Sequence, residues 1–214
     1  MRSVLACALL VGAFTLPAAA AGNPSSPTIT LLFQFDGDRS EESIDAMKKE
    51  FEVILRSAGL TFDYKLRSEL SETDVLSELI VVTFKGHCRM AALRPLIEEH
   101  GPYAITHVSD GQILPFSEVA CDRIRVAIRP AMTGSHFKHA DMVLGRALGR
   151  VLAHEVYHIL AKTTHHGSRG VGKPCLSGDE LVRAHLEMDE VELDRVRAAT
   201  RQVELDSVKT ADGL

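Results

Sequence analysis

The run His154-Glu155-Val156-Tyr157-His158 combines residue types and spacing suited to metal-assisted hydrolysis. Two histidines four apart on a helix project from one face about a turn apart, where their imidazoles can share one tetrahedral metal ion. Glu155, beside the first of them, can approach a metal-bound water without ligating the metal. From there a carboxylate takes the proton of the water as it attacks a carbonyl and later delivers a proton to the leaving amine. The metal's part is to lower the pKa of the water towards neutrality and polarise the carbonyl. The bland alternative is a set of hydrogen-bonded core histidines. The surrounding helix is strongly apolar, however, and two histidines and a glutamate are expensive to bury there unless paired or ligated. The motif therefore predicts a metal site.

A catalytic zinc takes three protein ligands and keeps a fourth position open. The glycine-rich loop Thr163 to Pro174 (TTHHGSRGVGKP) offers His165 and His166 for the third. With these residues the sequence resembles the zincin superfamily and, more narrowly, the metzincins. In those proteins the helix is followed by a glycine-containing bend, a third histidine and a tight turn bearing methionine. The resemblance covers about Ala153 to Gly172 and implies Zn2+ as cofactor, His154 and His158 as the first two ligands and Glu155 as general base. The chain differs in having Thr164 at the family's third-histidine spacing and no methionine where Gly170-Val171-Gly172 would form the turn. A loop two residues longer can still return His166, followed by Gly167, to the metal, so His166 is the expected third ligand and His165 the alternative. The gluzincin arrangement is the competitor, with a glutamate on a later helix: Glu180 or Glu187, or Glu190 with Asp194 one turn on. The resemblance implies a zinc-dependent endopeptidase or peptidase acting on a peptide or protein, secreted if the N-terminal segment is a signal peptide. A different class remains open, an exported zinc-binding or structural module without turnover.

Other candidates carry less. Tyr157 is expected to point off the ligand face and pack, and Tyr103 could donate to an oxyanion from an edge strand. His107, Ser109 and Asp110 are too nearly adjacent to form a nucleophile-base-orienter relay with one another and read as turn residues. His136 and His139 form a second-shell or, more simply, a surface pair.

The elements that must position this chemistry follow from periodicity. The metal helix is predicted from about His136 to Lys162, with Gly145 and Gly149 admitting a neighbouring backbone. Thr28 to Phe35, Leu60 to Leu66 and Glu78 to Lys85 read as strands. Between the first two, Ser40 caps a helix carrying Ile44, Met47, Phe51 and Ile54 or Leu55 at helical spacing, ending at Gly59. Tyr103 to Pro115 reads as an edge hairpin turning at Asp110-Gly111, along which an extended substrate could add as a strand. Ser117 is expected to cap a helix to about Ile128, and Ser177 to open a last helix to about Asp206. The fold expected is α+β and zincin-like, a small mixed sheet packed on the long motif-bearing helix, with a C-terminal helix.

The 214 residues, 45% of them hydrophobic, suffice for one compact domain. A net charge of −5 and a pI near 6.1 provide no basic field for a phosphate backbone, which argues against nucleic acid as a partner. Arg2, the apolar run Val4 to Leu16 and Ala18 to Ala21 read as a signal peptide over 1–21, cleaved after Ala20 or Ala21. A linker over 22–27 then leads into a single domain, 22–214, secreted or periplasmic and without a membrane anchor. Cleavage removes Cys7 and leaves Cys88, Cys121 and Cys175. Cys88 with Cys121 is the favoured disulfide, with Cys175 a buried thiol, although spacing alone leaves the pairing open.

Overall fold

In this computed structural model residues 27–74, 76, 78–90 and 100–211 are described, with side chains to 202. The predicted leader over 1–21 and all but the last residue of the linker lie outside them. The fold is α+β. Strands β1 (Thr28–Phe35), β2 (Thr61–Leu66), β3 (Leu79–Lys85), β4 (Ala104–Ser109) and β5 (Gln112–Ala120) form one mixed sheet in the order β2-β1-β3-β5-β4. The first four strands in that order run parallel, and β4 alone is antiparallel, at the edge. β1 is a nearly continuous apolar run because it is covered on both faces: Ile29, Leu31, Leu32 and Phe33 are all buried.

Helix α1 (Glu41–Leu55) starts where Ser40 accepts a hydrogen bond from the backbone of Ser43 at 3.1 Å, and the following turn ends at Gly59 with φ 74°. Its stripe Ile44, Met47, Phe51, Ile54 and Leu55 is buried. The metal-motif helix α3 (Ala140–Leu160) lies against it. The close approach expected at the two glycines is present. A Cβ on Gly145 would strike the Ser43 carbonyl, and one on Gly149 would stand 2.6 Å from the Met47 carbonyl oxygen and 2.8 Å from Glu50 Cβ. Gly149→Ala should therefore lower stability by about 1–3 kcal/mol, overpacking outweighing the alanine's helix propensity. Urea unfolding reads this directly, and an unchanged or raised midpoint would mean that the two helices separate freely.

Three predicted boundaries move. Ser117 lies inside β5, its hydroxyl donating to the Ile105 carbonyl at 3.2 Å, and helix α2 (Cys121–Ile128) begins four residues later. The long helix starts at Ala140 because Gly134–His139 wind as a tighter 3-10 turn, in which Thr133 and His136 cap each other. The last helix is two helices, α4 (Gly178–Val182) and α5 (Glu190–Ala211). Ser177 does cap α4, accepting from Glu180 N at 3.2 Å. Arginines of α3 explain the break. Arg150 donates to the carbonyls of Glu180 (2.7 Å) and Leu181 (3.1 Å), and Arg146 to that of Val182 (3.2 Å). Those carbonyls would otherwise accept the next turn's N–H groups. Arg150 is wholly buried, paired with Glu50 at 2.7 Å, and so links α1, α3 and α4.

Cys88 and Cys121 form a disulfide joining the segment after β3 to the first residue of α2. Such a bond fits an oxidising compartment. Cys175 is free and exposed, contrary to the buried thiol expected, because it lies on the surface loop leading to α4. Among the described residues no helix is long and apolar enough to cross a membrane.

Candidate metal centre

The last turns of α3 carry His154 and His158, and the loop behind them returns His166 to the same place. The ligand nitrogens of the three lie within 4.8 Å of one another, the one group among the described residues whose donor set could hold a metal ion. The chain leaves α3 at Lys162 in the left-handed region (φ 49°), and Thr163 N closes the turn on the His158 carbonyl at 3.2 Å. That reversal brings the carbonyl of Thr163 to His158 Nδ1 at 2.7 Å, while the carbonyl of Val171 meets His154 Nδ1 at 2.8 Å. A carbonyl can only accept, so each Nδ1 carries the proton and each neutral ring offers an unprotonated Nε2.

The two Nε2 atoms stand 3.0 Å apart. With both tautomers set by the backbone, no proton lies between them and two lone pairs face each other, an arrangement a cation relieves. Tetrahedral coordination at about 2.0–2.1 Å per bond needs nitrogens about 3.3 Å apart, close to this spacing. His166 completes the set, its ring stacked on His154 (centroids 5.1 Å) and edge-on to His158 (4.7 Å). The residues present fit a three-histidine metal ion.

Burial also favours the neutral form of the two helix histidines. It pushes His154 down to about 4, against the opposing hydrogen bond to Val171, and lowers His158 as well. The unfolded chain therefore binds protons below pH 6.5 that folded His154 refuses, and stability is lost as pH falls from about 6.5 towards 4. Glu155, raised by burial, works in the opposite direction. Chelator-treated protein should accordingly lose about 3 kcal/mol more over that range than a His154→Gln variant. Parallel curves for the two in urea unfolding against pH would refute this.

Glu155 is 6% exposed and reaches from α3 towards the edge strand, where the Thr106 hydroxyl donates to its Oε2 at 2.6 Å. The three histidines and Glu155 form the floor of a cleft of about 480 Å³. β4 supplies one wall, with Ala104, Ile105, Thr106 and Val108, and Lys173 to Leu176 supply the other. Tyr103 and Val151 also line it.

The remaining candidates separate clearly. His165 is exposed and outside the cluster, engaged through its main chain: its carbonyl accepts from the Tyr157 hydroxyl at 3.2 Å and its N–H donates to the Thr163 hydroxyl at 3.0 Å. Tyr157 is fully buried and also accepts from Arg195 at 3.1 Å, the packing role expected. No carboxylate joins the histidines among the described residues: Glu180 binds Lys173 at 2.6 Å, and Glu190 and Asp194 each bind Arg197 at 2.6 Å. Glu187 contributes its backbone carbonyl, to Val171 N at 2.9 Å. His107, Ser109 and Asp110 are exposed on the hairpin, and His139 is exposed.

Sequence reading missed Thr106 and Glu192. Glu192 is a buried carboxylate of α5 that packs where a Cβ on Gly167 or Gly172 would stand, under the loop that carries His166. The Gly-x4-Gly spacing was a signal for such close packing, and Gly167 N does close on the Gly172 carbonyl at 2.7 Å. Nothing in the pattern of THVSDG singles out its threonine.

No protein-family model matches this chain, and no curated protein is significantly similar to it.

Proposed function

We propose that the protein is an exported zinc peptidase of zincin type. The observation that carries this reading is the three-histidine cluster with Glu155 beside it on the floor of a cleft bordered by an antiparallel edge strand. His154, His158 and His166 would hold the metal. The bound ion would supply Lewis-acid polarisation of the scissile carbonyl and acidify the attacking water. Three imidazole donors would favour zinc over the oxygen-seeking cations.

The chain's own groups supply the rest. Among the described residues β4 pairs only with β5, and an extended peptide would add to its other edge through main-chain hydrogen bonds and lie across the cleft. Glu155 takes the proton of the attacking water and passes it to the leaving amine. The cleft walls are mostly apolar, with Ile105, Val108, Ile113, Val151 and Leu176, so peptides with a large apolar side chain beside the scissile bond are the favoured substrates.

The test is metal analysis of the purified protein followed by incubation with an unfolded protein substrate, with products mapped by mass spectrometry. One zinc per chain and chelator-sensitive cleavage next to apolar residues support the proposal. Stoichiometric zinc without cleavage of any peptide would favour an exported zinc-binding module instead.

A further inference from the structure

We infer that Thr106, on the edge strand, is a positioning residue that selects which oxygen of Glu155 faces the reacting water; this rests on the peptidase reading above. A carboxylate on a helix beside an open cleft has rotameric freedom, and general-base catalysis needs one oxygen aimed at one water. The Thr106 hydroxyl has a single proton. At 2.6 Å from Oε2, against 3.4 Å from the Glu155 main-chain carbonyl, that proton belongs to the carboxylate. One oxygen is thereby tied to the strand and Oε1 is left for the water.

The backbone around Thr106 is built to hold this geometry. Thr106 pairs with Ser117 of β5, but the next register pair is Val108 with Ile113, so β5 carries two extra residues opposite this point. Pro115, which has no N–H to give a ladder, lies in that irregularity. Such bulges re-aim side chains, and here the one beside the bulge spans from sheet edge to helix. A β-branched side chain is also stiff at χ1, so the hydroxyl is already oriented before substrate arrives. Because the same strand would pair with the substrate, the base and the peptide are registered to one backbone.

The test compares Thr106→Val, which keeps the shape and removes the donor, with Thr106→Ser, which keeps the donor. In the zinc-loaded protein Thr106→Val should lower kcat by about 10–100-fold, the usual loss for an outer hydrogen-bond partner, with KM within about twofold and zinc stoichiometry unchanged. Thr106→Ser should recover most of that kcat. In the metal-free protein the 13C resonance of the Glu155 carboxyl should move in Thr106→Val and stay near its wild-type position in Thr106→Ser, a readout independent of turnover. Full kcat in Thr106→Val, equal losses in both variants, or an unmoved carboxyl resonance overturns the inference while leaving the peptidase reading intact. A wild-type protein that binds zinc and cleaves nothing overturns both.

Discussion

Glu155→Gln is expected to abolish peptide cleavage, by about 10²–10⁴-fold in kcat, while the protein still binds one metal ion per chain. The side chain is nearly isosteric and its amide oxygen can accept the Thr106 hydrogen bond that Oε2 accepts now, at 2.6 Å. The cleft wall and the helix therefore keep their contacts. An amide, however, cannot take a proton from water near neutral pH. Burial raises the Glu155 carboxyl above its ordinary range, and the Thr106 donor pulls it partly back, so the group is a stronger base than a solvated glutamate yet still ionisable. The check is a paired measurement of metal content and kcat. Retained metal with lost turnover supports the base, whereas a variant that still cleaves would transfer the proton step to another group. Loss of both metal and turnover would mean that Glu155 acts on the histidine cluster.

How far the sequence disclosed this centre depended on whether the signal was local. The four-residue spacing of His154 and His158 was legible because helix geometry alone puts them on one face, and the apolar run around them marked the helix. β1 matched its predicted bounds because a strand buried on both faces has a nearly continuous apolar run ending at a turn. The edge hairpin was legible from Asp110-Gly111, both with positive φ. His166 was preferred over His165 only by the glycine that follows it. The structure reveals the underlying cause, a left-handed residue at Lys162, which has no sequence mark, and a loop closed between Gly167 and Gly172, which only their spacing signals. Ser117 misled because a serine before an amphipathic stretch reads as a cap, while its real partner is a carbonyl on the neighbouring strand. The break between α4 and α5 was invisible because it depends on arginines about 30 residues earlier taking the helix carbonyls. The groups that set the histidine tautomers are main-chain carbonyls, of Thr163 and Val171, and side-chain identity says nothing about them.

The adjacent histidines of the loop allow the centre to be tested by a change of one position. His166→Ala should weaken zinc binding by more than the about 10–100-fold that loss of an outer partner costs, because it removes one of the three donors that the described residues bring together. His165→Ala should leave affinity within about twofold, as for a surface substitution. The contrast follows from the loop's geometry. His166 brings its ring onto those of both helix histidines, whereas His165 is exposed and contributes a carbonyl to the Tyr157 hydroxyl, a contact that alanine keeps. Competition against a chromophoric chelator gives both affinities on one scale. The variants share the same backbone path, so a fold defect would appear in either. Should both lose zinc equally, the loop as a whole and not the His166 imidazole would be supplying the affinity. Should neither lose it, His154 and His158 would hold the ion with a donor from outside the cluster, and a three-histidine centre would be untenable.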